Sequence, residues 1–568
     1  MLFLYAILAL NPAQTVGGES QMLHQWFGEN SYDYFGSEVN GAGDLNGDGF
    51  HDVLIGASFA DGGGLFHAGS AYAYSGTDGS LLYQWNGEAR ANKFGNAAAA
   101  AGDVNADGFD DVVIGAFMAA SGGMAEAGKV YVYSGADGTL LRQWSGTNDG
   151  DYFGKSVAGC GDINQDGFDD LLVGAHHALD SSNNRRKGAA YVFSGVDGSL
   201  LYQWYGDSVN DYFGFAVASA QNLDGDNIPD FIVGASHANP VGLSNVGSVY
   251  AYSGASGSLL YQWNGAAPDG YFGASLSSAG DLNGDGFSEV VVGANGTPQD
   301  GQEFAGAAFA FSGADGSLLY QWSGQETDDY FGTDVAIVGD ITGDGHDDVL
   351  VGAHGARLGP LHDVGCATLF SGADGAPIHQ WFGEHGSLIG ASGEYLGYSV
   401  AGAGDVNGDG RPDLLVGAIY ARNTGQIVTG SATVYSFNSY LFPNRATLSA
   451  AGGGTVSLQL NFTNAAAFFH YKILISESGI GTTWYGVDIP LTLDNMCANS
   501  FFGNYPIQSY SNLHGMLDSS GQAAATITVP SGMPSGLIGR TYRLAAIANP
   551  AGQLPQLSSV SIPLTFTF

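Results

Sequence analysis

Short runs of alternating apolar and polar residues, separated by turns rich in Gly and Asp, follow one another along residues 20–440. In the first complete unit these runs are SEVNGAG (37–43), DVLIGA (52–57), SAYAYSG (70–76) and SLLYQW (80–85). Alternation with a period of two predicts half-buried β-strands, and the continuous apolar run predicts a strand buried on both faces. No segment shows the apolar period of an amphipathic helix. The pattern therefore predicts an all-β protein built from units of four strands.

The unit recurs seven times. The phrase Asp-x-Asn-x-Asp-Gly, or a close variant, begins at 44, 103, 162, 222, 281, 340 and 405, in steps of 59, 59, 60, 59, 59 and 65 residues. A Trp ends each unit, at 26, 85, 144, 204, 263, 322 and 381. Four short strands in every repeat of this length are typical of a β-propeller blade. A parallel β-helix would need shorter coils, so we predict a seven-bladed β-propeller.

The two ends of the repeat region are complementary. Residues 22–26 match a fourth strand with no third strand before it, whereas residues 431–437 match a third strand with no fourth strand after it. We therefore expect residues 22–26 to form the outer strand of the seventh blade. This arrangement closes the ring and leaves only short outer edges exposed.

The loop between the first and second strands of each unit concentrates hard oxygen donors. In the first copy Asp44, Asn46, Asp48 and Asp52 stand at loop positions 1, 3, 5 and 9, and Phe50 at position 7 offers its backbone carbonyl. A Gly after position 5 allows the bend that wraps the loop round an ion. Oxygen donors without His or Cys side-chain ligands suit Ca²⁺, so the sequence predicts up to seven Ca²⁺ ions, one per blade.

The remaining predicted ligands follow the same positions, with the carbonyl donor fourth in each set. They are Asp103, Asn105, Asp107, Phe109 and Asp111; Asp162, Asn164, Asp166, Phe168 and Asp170; Asn222, Asp224, Asp226, Ile228 and Asp230; Asp281, Asn283, Asp285, Phe287 and Glu289; Asp340, Thr342, Asp344, His346 and Asp348; and Asp405, Asn407, Asp409, Arg411 and Asp413. The fourth copy also has Asn227 where the other loops have the bending Gly.

The alternative is that these loops are plain turns, since Asp, Asn and Gly are common there. Three carboxylates would converge in each loop, however, and at ~5 Å with an effective dielectric of ~20 each like-charged pair costs roughly 3 kcal/mol. A turn requires no such repulsion, and a cation removes it. Seven ions at tenfold their dissociation constant would together add about 10 kcal/mol, so we expect them to be structural.

A Phe-Gly pair precedes the first strand in six units, at 35, 94, 153, 213, 272 and 331, and Leu396-Gly397 takes its place in the seventh. With the Gly-Ala ends of the second strands, these pairs resemble FG-GAP repeats, which form the integrin α-subunit head and occur in many secreted bacterial proteins. The resemblance implies an FG-GAP-type propeller with calcium loops between first and second strands. It also implies ligand binding on the opposite face. Integrin-type heads usually fill only some of these loops.

Composition limits the partners and the compartment. The 568 residues include 55 acidic and only 15 basic side chains, a net charge of −40, so nucleic acid is not an expected partner. Residues 1–17 begin with an apolar run, MLFLYAILAL, too short to span a bilayer. We interpret them as a signal peptide, with a buried strand as the alternative, and expect a secreted or cell-surface protein without a transmembrane segment. Three Cys residues are too few for a disulfide framework.

A second domain follows the propeller, which we assign to residues 18–442. Alternating runs such as TVSLQLNF and AAATITVP recur over residues 446–568. Six or seven such runs in about 120 residues predict an antiparallel β-sandwich.

The loops on the side of the ring opposite the acidic loops differ from copy to copy. One of them concentrates Arg185, Arg186 and Lys187, which are candidates for binding an acidic group, although a solvated charge cluster is the alternative. We expect an adhesion or ligand-binding module for an extracellular protein or polysaccharide. The alternatives are a calcium-dependent polysaccharide lyase or hydrolase, and a purely structural surface component. The sequence contains no nucleophile elbow, His-Glu-x-x-His motif or P-loop.

Overall fold

The computed structural model describes residues 18–443, apart from 241, 279, 385–392, 424–427 and 440, and separate strand segments between 447 and 567. Seven four-stranded antiparallel sheets form the blades of a propeller, and in six of them the strands lie in sequence order. The predicted all-β, seven-bladed propeller is therefore confirmed.

From blade 1 to blade 7, the first strands are Phe35–Gly43, Ala97–Gly102, Phe153–Gly161, Phe213–Ala220, Ser275–Ser277, Val335–Ile337 and Leu396–Gly404. The second strands are Asp52–Ala57, Asp111–Ala116, Asp170–Ala175, Asp230–Ala235, Val290–Ala294, Val349–Ala353 and Asp413–Ala418. The third strands are Ser70–Tyr74, Lys129–Tyr133, Ala189–Phe193, Ser248–Tyr252, Ala307–Phe311, Cys366–Phe370 and Ser431–Ser439. The fourth strands of blades 1 to 6 are Leu81–Asn86, Leu140–Ser145, Leu200–Tyr205, Leu259–Asn264, Leu318–Ser323 and Pro377–Phe382.

The seventh blade takes its fourth strand from the beginning of the described chain. Gly18–Phe27 pairs antiparallel with Ser431–Ser439, with Trp26 opposite Ala432. Phe35 also forms a parallel bridge to Gly430, the same bridge that joins the other neighbouring blades. The predicted closure by residues 22–26 is confirmed, and the strand is longer than predicted.

The first strands surround the axis of the ring and are rich in small residues because they crowd there. A Cβ atom on Gly159 would lie 2.7 Å from the carbonyl oxygen of Ala100 in the neighbouring blade. These strands line a central cavity of about 560 Å³. The second strand of the first blade is buried at every position, as its continuous apolar sequence predicts.

The hydrophobic core lies between the blades. In one cluster, Leu54 and Trp85 of blade 1 pack with Phe94, Ile114 and Tyr131 of blade 2, and all five side chains are buried. Similar clusters occur at the other blade interfaces. Each blade is therefore stabilised by its neighbours, which favours a closed ring.

Beyond the propeller the described segments form a four-stranded sheet, a six-stranded sheet and a two-stranded hairpin. Their strands are Leu441–Pro443, Thr447–Ser449, Gly454–Asn461, His470–Ser476, Thr482–Trp484, Val487–Ile489, Tyr510–Ser511, His514–Met516, Gln522–Val529, Thr541–Asn549, Leu557–Ser558 and Ile562–Thr567. The β-sandwich stays a prediction. The predicted signal peptide, residues 1–17, and Cys497 lie outside the described residues.

Candidate metal loops and the opposite loop face

The acidic loop of the first blade is wound round its first carboxylate. Asp44 Oδ1 accepts hydrogen bonds from the backbone N–H groups of Gly47 and Asp48, at 2.7 and 3.1 Å. Asp44 Oδ2 accepts one from Gly49 at 2.9 Å. Gly49 has a φ of 88°, the left-handed conformation that the sequence predicted for the bend.

The last carboxylate of the loop, Asp52, is buried at the start of the second strand. Its two oxygens accept hydrogen bonds from the N–H of Leu45 at 2.9 Å and from that of Gly76 at 3.1 Å. Gly76 belongs to the turn between the third and fourth strands, and in the same turn the Thr77 hydroxyl donates to Asp48 at 2.9 Å. The loop and this turn therefore share one face of the ring.

The same frame recurs in the other six loops. The acidic side chain at position 9 accepts a backbone N–H from its own loop in every blade, through Asp111, Asp170, Asp230, Glu289, Asp348 and Asp413. In the fourth loop Asn227 has a φ of 65°, so it adopts the conformation that Gly adopts elsewhere. In the fifth loop the longer Glu289 still reaches the N–H of Leu282 at 2.6 Å.

Burial and neighbouring carboxylates raise the pKa of the acidic side chains at position 9, so these groups are difficult to ionise without a nearby cation. The pKa of Asp52 is raised to about 6, chiefly by burial and also by the charges of Asp48 and Asp44, while its backbone hydrogen bonds oppose the rise. For the same leading reason the pKa rises to about 7 in Asp111 and Asp413, and well above its usual value in Asp348. A positive charge in the loop would stabilise the ionised form.

Two loops bring three acidic side chains especially close together. One oxygen from each of Asp224, Asp226 and Asp230 lies within 4.8 Å of the others, and the same holds for Asp281, Asp285 and Glu289. Within the described part of the chain these are the two acidic groupings this compact. The donors are hard oxygens, so the residues fit Ca²⁺.

Position 8 of these loops, which was not among the predicted ligands, links neighbouring blades. Asp110 Oδ2 in blade 2 accepts the N–H of Asp44 in blade 1 at 3.0 Å. The same bond joins the second and third loops through Asp169, and the fifth and sixth through Asp347. The recurrence of an acidic residue at position 8 in these copies is the sequence feature that could have indicated this contact. The acidic loops are thus hydrogen-bonded to one another round part of the ring.

On the opposite face, two of the three clustered basic residues are held by the protein itself. Arg186 donates to the carbonyls of Gly150 and His177 at 2.9 Å, and to that of Asp149. Lys187 forms an ion pair with Asp180 at 3.2 Å. Arg185 is exposed in the hairpin Leu179–Asp180/Arg185–Arg186. Of the three, Arg185 is therefore the side chain presented to solvent.

Imidazole groups on this face contact two aromatic residues of the cavity wall, His237 with Phe215 and His354 with Tyr398. Five of the six Phe-Gly pairs are preceded by Tyr, and each of these Tyr residues contacts an aromatic or imidazole residue that follows a second strand. Tyr212 lies 4.2 Å from His237, and Tyr330 lies 4.9 Å from His354, measured between ring centroids. The repeated Tyr residues therefore make packing contacts with neighbouring rings.

Charged side chains also line the central cavity, although no sequence pattern indicates their proximity. Glu38, Lys155 and Asp334 come from the first strands of blades 1, 3 and 6 or the residues just before them. The pKa of Glu38 is raised to about 8, chiefly by burial and also by the charge of Asp334, while Lys155 opposes the rise. Asp334 accepts hydrogen bonds from Ser275 and Ser399, so it joins three blades.

Five stretches of the chain match the sequence model of the FG-GAP repeat: residues 35–74, 94–133, 153–193, 272–311 and 396–429. This is an FG-GAP repeat protein. The structure gives blades 4 and 6, which lie between these matches, the same four strands.

Curated relatives of this FG-GAP protein include integrin α subunits. It is similar to integrin alpha-5 of Xenopus laevis, with 35% identity over 222 residues, 36% of this chain and 20% of the relative. It is also similar to integrin alpha-V of Gallus gallus, with 28% identity over 41% of this chain and 23% of the relative. The matched region thus spans about a fifth of the length of these relatives. Among the described residues, no helix has the length and apolar composition needed to cross a bilayer.

Proposed function

We propose that this FG-GAP protein is an extracellular ligand-binding module whose propeller is stabilised by Ca²⁺. The observation that carries the proposal is the shared hydrogen-bonded frame of the seven acidic loops, each ending in an acid that is buried at the start of the second strand. The carboxylates at positions 1, 5 and 9 and the oxygen donor at position 3 would hold the ion. Bound Ca²⁺ would neutralise charge that the loops otherwise leave uncompensated.

The difference in loop variability between the two faces of the ring supports ligand binding on the variable face. The acidic loops and the adjoining turns are nearly constant from blade to blade, whereas the loops between second and third strands differ in length and composition. A rigid scaffold that carries variable loops is a common arrangement for recognition. The similarity to integrin α subunits, which are cell-surface proteins, supports an extracellular location. We propose an extracellular protein or polysaccharide as the ligand.

The calcium part of the proposal is tested by metal counting and thermal unfolding. The purified chain is stripped with chelator, dialysed against Ca²⁺ or Mg²⁺, and analysed for bound metal and unfolding midpoint. We expect up to seven Ca²⁺ per chain and a higher midpoint in Ca²⁺ than in chelator. A midpoint that does not respond to Ca²⁺ would contradict a structural role.

The ligand part is tested separately on protein and polysaccharide arrays, with and without Ca²⁺. We expect saturable retention without turnover. Depolymerisation of a uronate-containing polysaccharide would instead favour the lyase or hydrolase that the sequence left open. If the chain shows no retention and no turnover, the result would favour a structural surface component.

A further inference from the structure

In five blades the middle residue of the third strand packs inside its blade against the Phe of the Phe-Gly pair. In blades 1 to 5 both partners are aromatic, and their ring centroids lie 5.4 or 5.5 Å apart: Phe35 with Tyr72, Phe94 with Tyr131, Phe153 with Tyr191, Phe213 with Tyr250, and Phe272 with Phe309. Blade 6 has Thr368 at this point. Thr368 lies opposite Gln380, just as Tyr72 lies opposite Gln84 in blade 1, so the two blades have the same register. Blade 6 therefore lacks the aromatic ring that Tyr72 provides in blade 1.

A cavity of about 200 Å³ occupies the corresponding place in blade 6. Its wall includes Phe331, Thr368, Phe370 and Trp322, and it opens beside the exposed Gln325. Phe331 is 7% exposed, whereas the equivalent Phe35 is 1% exposed. The substitution of Thr for an aromatic residue has therefore uncovered the ring of Phe331.

The polar end of the cavity repeats the surroundings of the Tyr hydroxyls in other blades. The Tyr250 hydroxyl donates to Asp207, the third residue after Trp204, at 3.2 Å. Gln325 holds the same position after Trp322 and lines the cavity. The Tyr72 hydroxyl accepts from Gln84 at 3.4 Å, and the equivalent Gln380 donates to Thr368 Oγ1 at 3.1 Å.

We propose that this cavity binds a small phenol, whose ring takes the place of the absent Tyr side chain against Phe331 and Phe370. The hydroxyl would meet the amides of Gln325 and Gln380, each of which offers both a donor and an acceptor. Cavities of this size bind single aromatic rings: an engineered apolar cavity of about 150 Å³ binds benzene. Arg357 and Glu326 form an ion pair near the opening, at 3.8 Å, and Asp329 also lines the cavity, so its charged groups favour a neutral ligand over an anion. The site is separate from the acidic loops, whereas the loop between the second and third strands of blade 6 contributes Ala356 and Arg357 to its wall.

The test uses ¹⁹F NMR of 4-fluorophenol with the full chain in Ca²⁺-containing buffer, so that occupancy of the metal loops does not enter. We expect saturable broadening or a shift of the fluorine signal at one site per chain. Fluorobenzene, which lacks the hydroxyl, should bind about fivefold more weakly, the effect of one lost hydrogen bond. Gln325→Ala, at an exposed position, should weaken 4-fluorophenol by a similar factor and leave fluorobenzene unchanged.

Filling the cavity provides the decisive variant. Thr368→Tyr should abolish binding of both probes while the unfolding midpoint stays equal or rises, because the ring restores the contacts of the other blades. If that variant does not fold, the Gln325→Ala comparison still decides. Absence of saturable binding, or binding that neither substitution changes, would overturn the proposal.

Discussion

Trp381 Nε1 donates a hydrogen bond to Ser20 Oγ at 2.6 Å. The other six Trp residues of the repeat donate instead to a backbone carbonyl of Gly in the turn of the next blade, as Trp85 does to Gly138. Blade 7 has no such turn, because its third and fourth strands come from opposite ends of the described propeller. A side chain of the closing strand thus replaces the backbone acceptor at the seam.

Ser20→Ala should weaken the closure of the ring. The buried part of Trp381 would keep its packing but lose its acceptor, so we expect the free energy of unfolding to fall by about 1 kcal/mol. Urea unfolding measures the change. Ser181→Ala, at an exposed position of a loop, is the matched control and should have little effect. Equal stability of the two variants would show that the bond at the seam contributes nothing.

Asp285→Asn should change stability with opposite sign in the presence and absence of Ca²⁺. Asp285 lies within one of the two compact acidic groupings, so removing its charge relieves repulsion in chelator. In Ca²⁺ the same change removes a ligand, and we expect about 1 kcal/mol of lost stabilisation and one ion fewer per chain. Thermal unfolding and metal counting give both results. Asp315→Asn, an exposed change in the turn of the same blade, should leave the ion count unchanged.

Asp334→Ala should be among the most damaging single substitutions at the centre of the ring. The carboxylate accepts from the hydroxyls of Ser275 and Ser399 and from the N–H of Val400 at 2.8 Å, and so links blades 5, 6 and 7. Its loss leaves several donors unpaired, and we expect unfolding to become easier by about 3 kcal/mol. Asp334→Asn, which keeps one acceptor oxygen, should cost less. A cost for Ala no larger than for Asn would contradict the linking role of this carboxylate.

Much of the fold was predictable because the sequence pattern of each strand recurs in seven copies of the repeat. The alternation in SAYAYSG and the buried run DVLIGA predicted strands that the structure places at Ser70–Tyr74 and Asp52–Ala57. The closure by residues 22–26 followed from two incomplete units. What could not be read from the sequence are contacts between blades: the bond from Asp44 to Asp110 joins residues 66 positions apart. Their proximity depends on the curvature of the ring.

The basic cluster on the variable face is a second case in which the sequence alone could not predict the contacts of individual side chains. Its residue types indicated a site for an acidic group, but the sequence does not distinguish Arg185 from Arg186. In the structure Arg186 holds neighbouring loops together through three backbone carbonyls, and Arg185 is exposed. Which of these adjacent side chains meets the solvent depends on the hairpin, in which Arg186 lies opposite Leu179 and Arg185 opposite Asp180.

The two arginines should therefore respond differently to substitution. Arg186→Ala removes the hydrogen bonds to Gly150 and His177, so we expect faster proteolysis of the loop and a lower unfolding midpoint. Arg185→Ala should leave the midpoint unchanged, and it should weaken retention on an acidic polysaccharide if the cluster binds one. Limited proteolysis and array binding separate these effects. Identical stability losses in both variants would contradict the assignment of the structural role to Arg186 alone.

His354 should make the protein less stable as the solution becomes acidic. Burial lowers the pKa of its imidazole to about 4 in the folded state. The Thr333 hydroxyl gives its hydrogen to the carbonyl of Tyr330 at 2.7 Å, so at 2.8 Å it accepts one from His354 Nδ1. The ring also stacks on Tyr330 with an interplanar angle of 13°. The folded protein therefore holds His354 as a neutral imidazole.

Because the folded pKa lies below the unfolded value of about 6.5, the unfolded chain binds more protons between pH 6.5 and 4. The contribution of His354 is complete above pH 6.5 and is lost as the pH falls toward 4, with a slope of up to about 1.4 kcal/mol per pH unit. His354→Gln does not titrate, so its stability should fall less steeply over this range in urea unfolding. The control is His362→Gln, at an exposed position of the same loop. Parallel pH profiles for the wild type and His354→Gln would rule out this origin of the acid sensitivity.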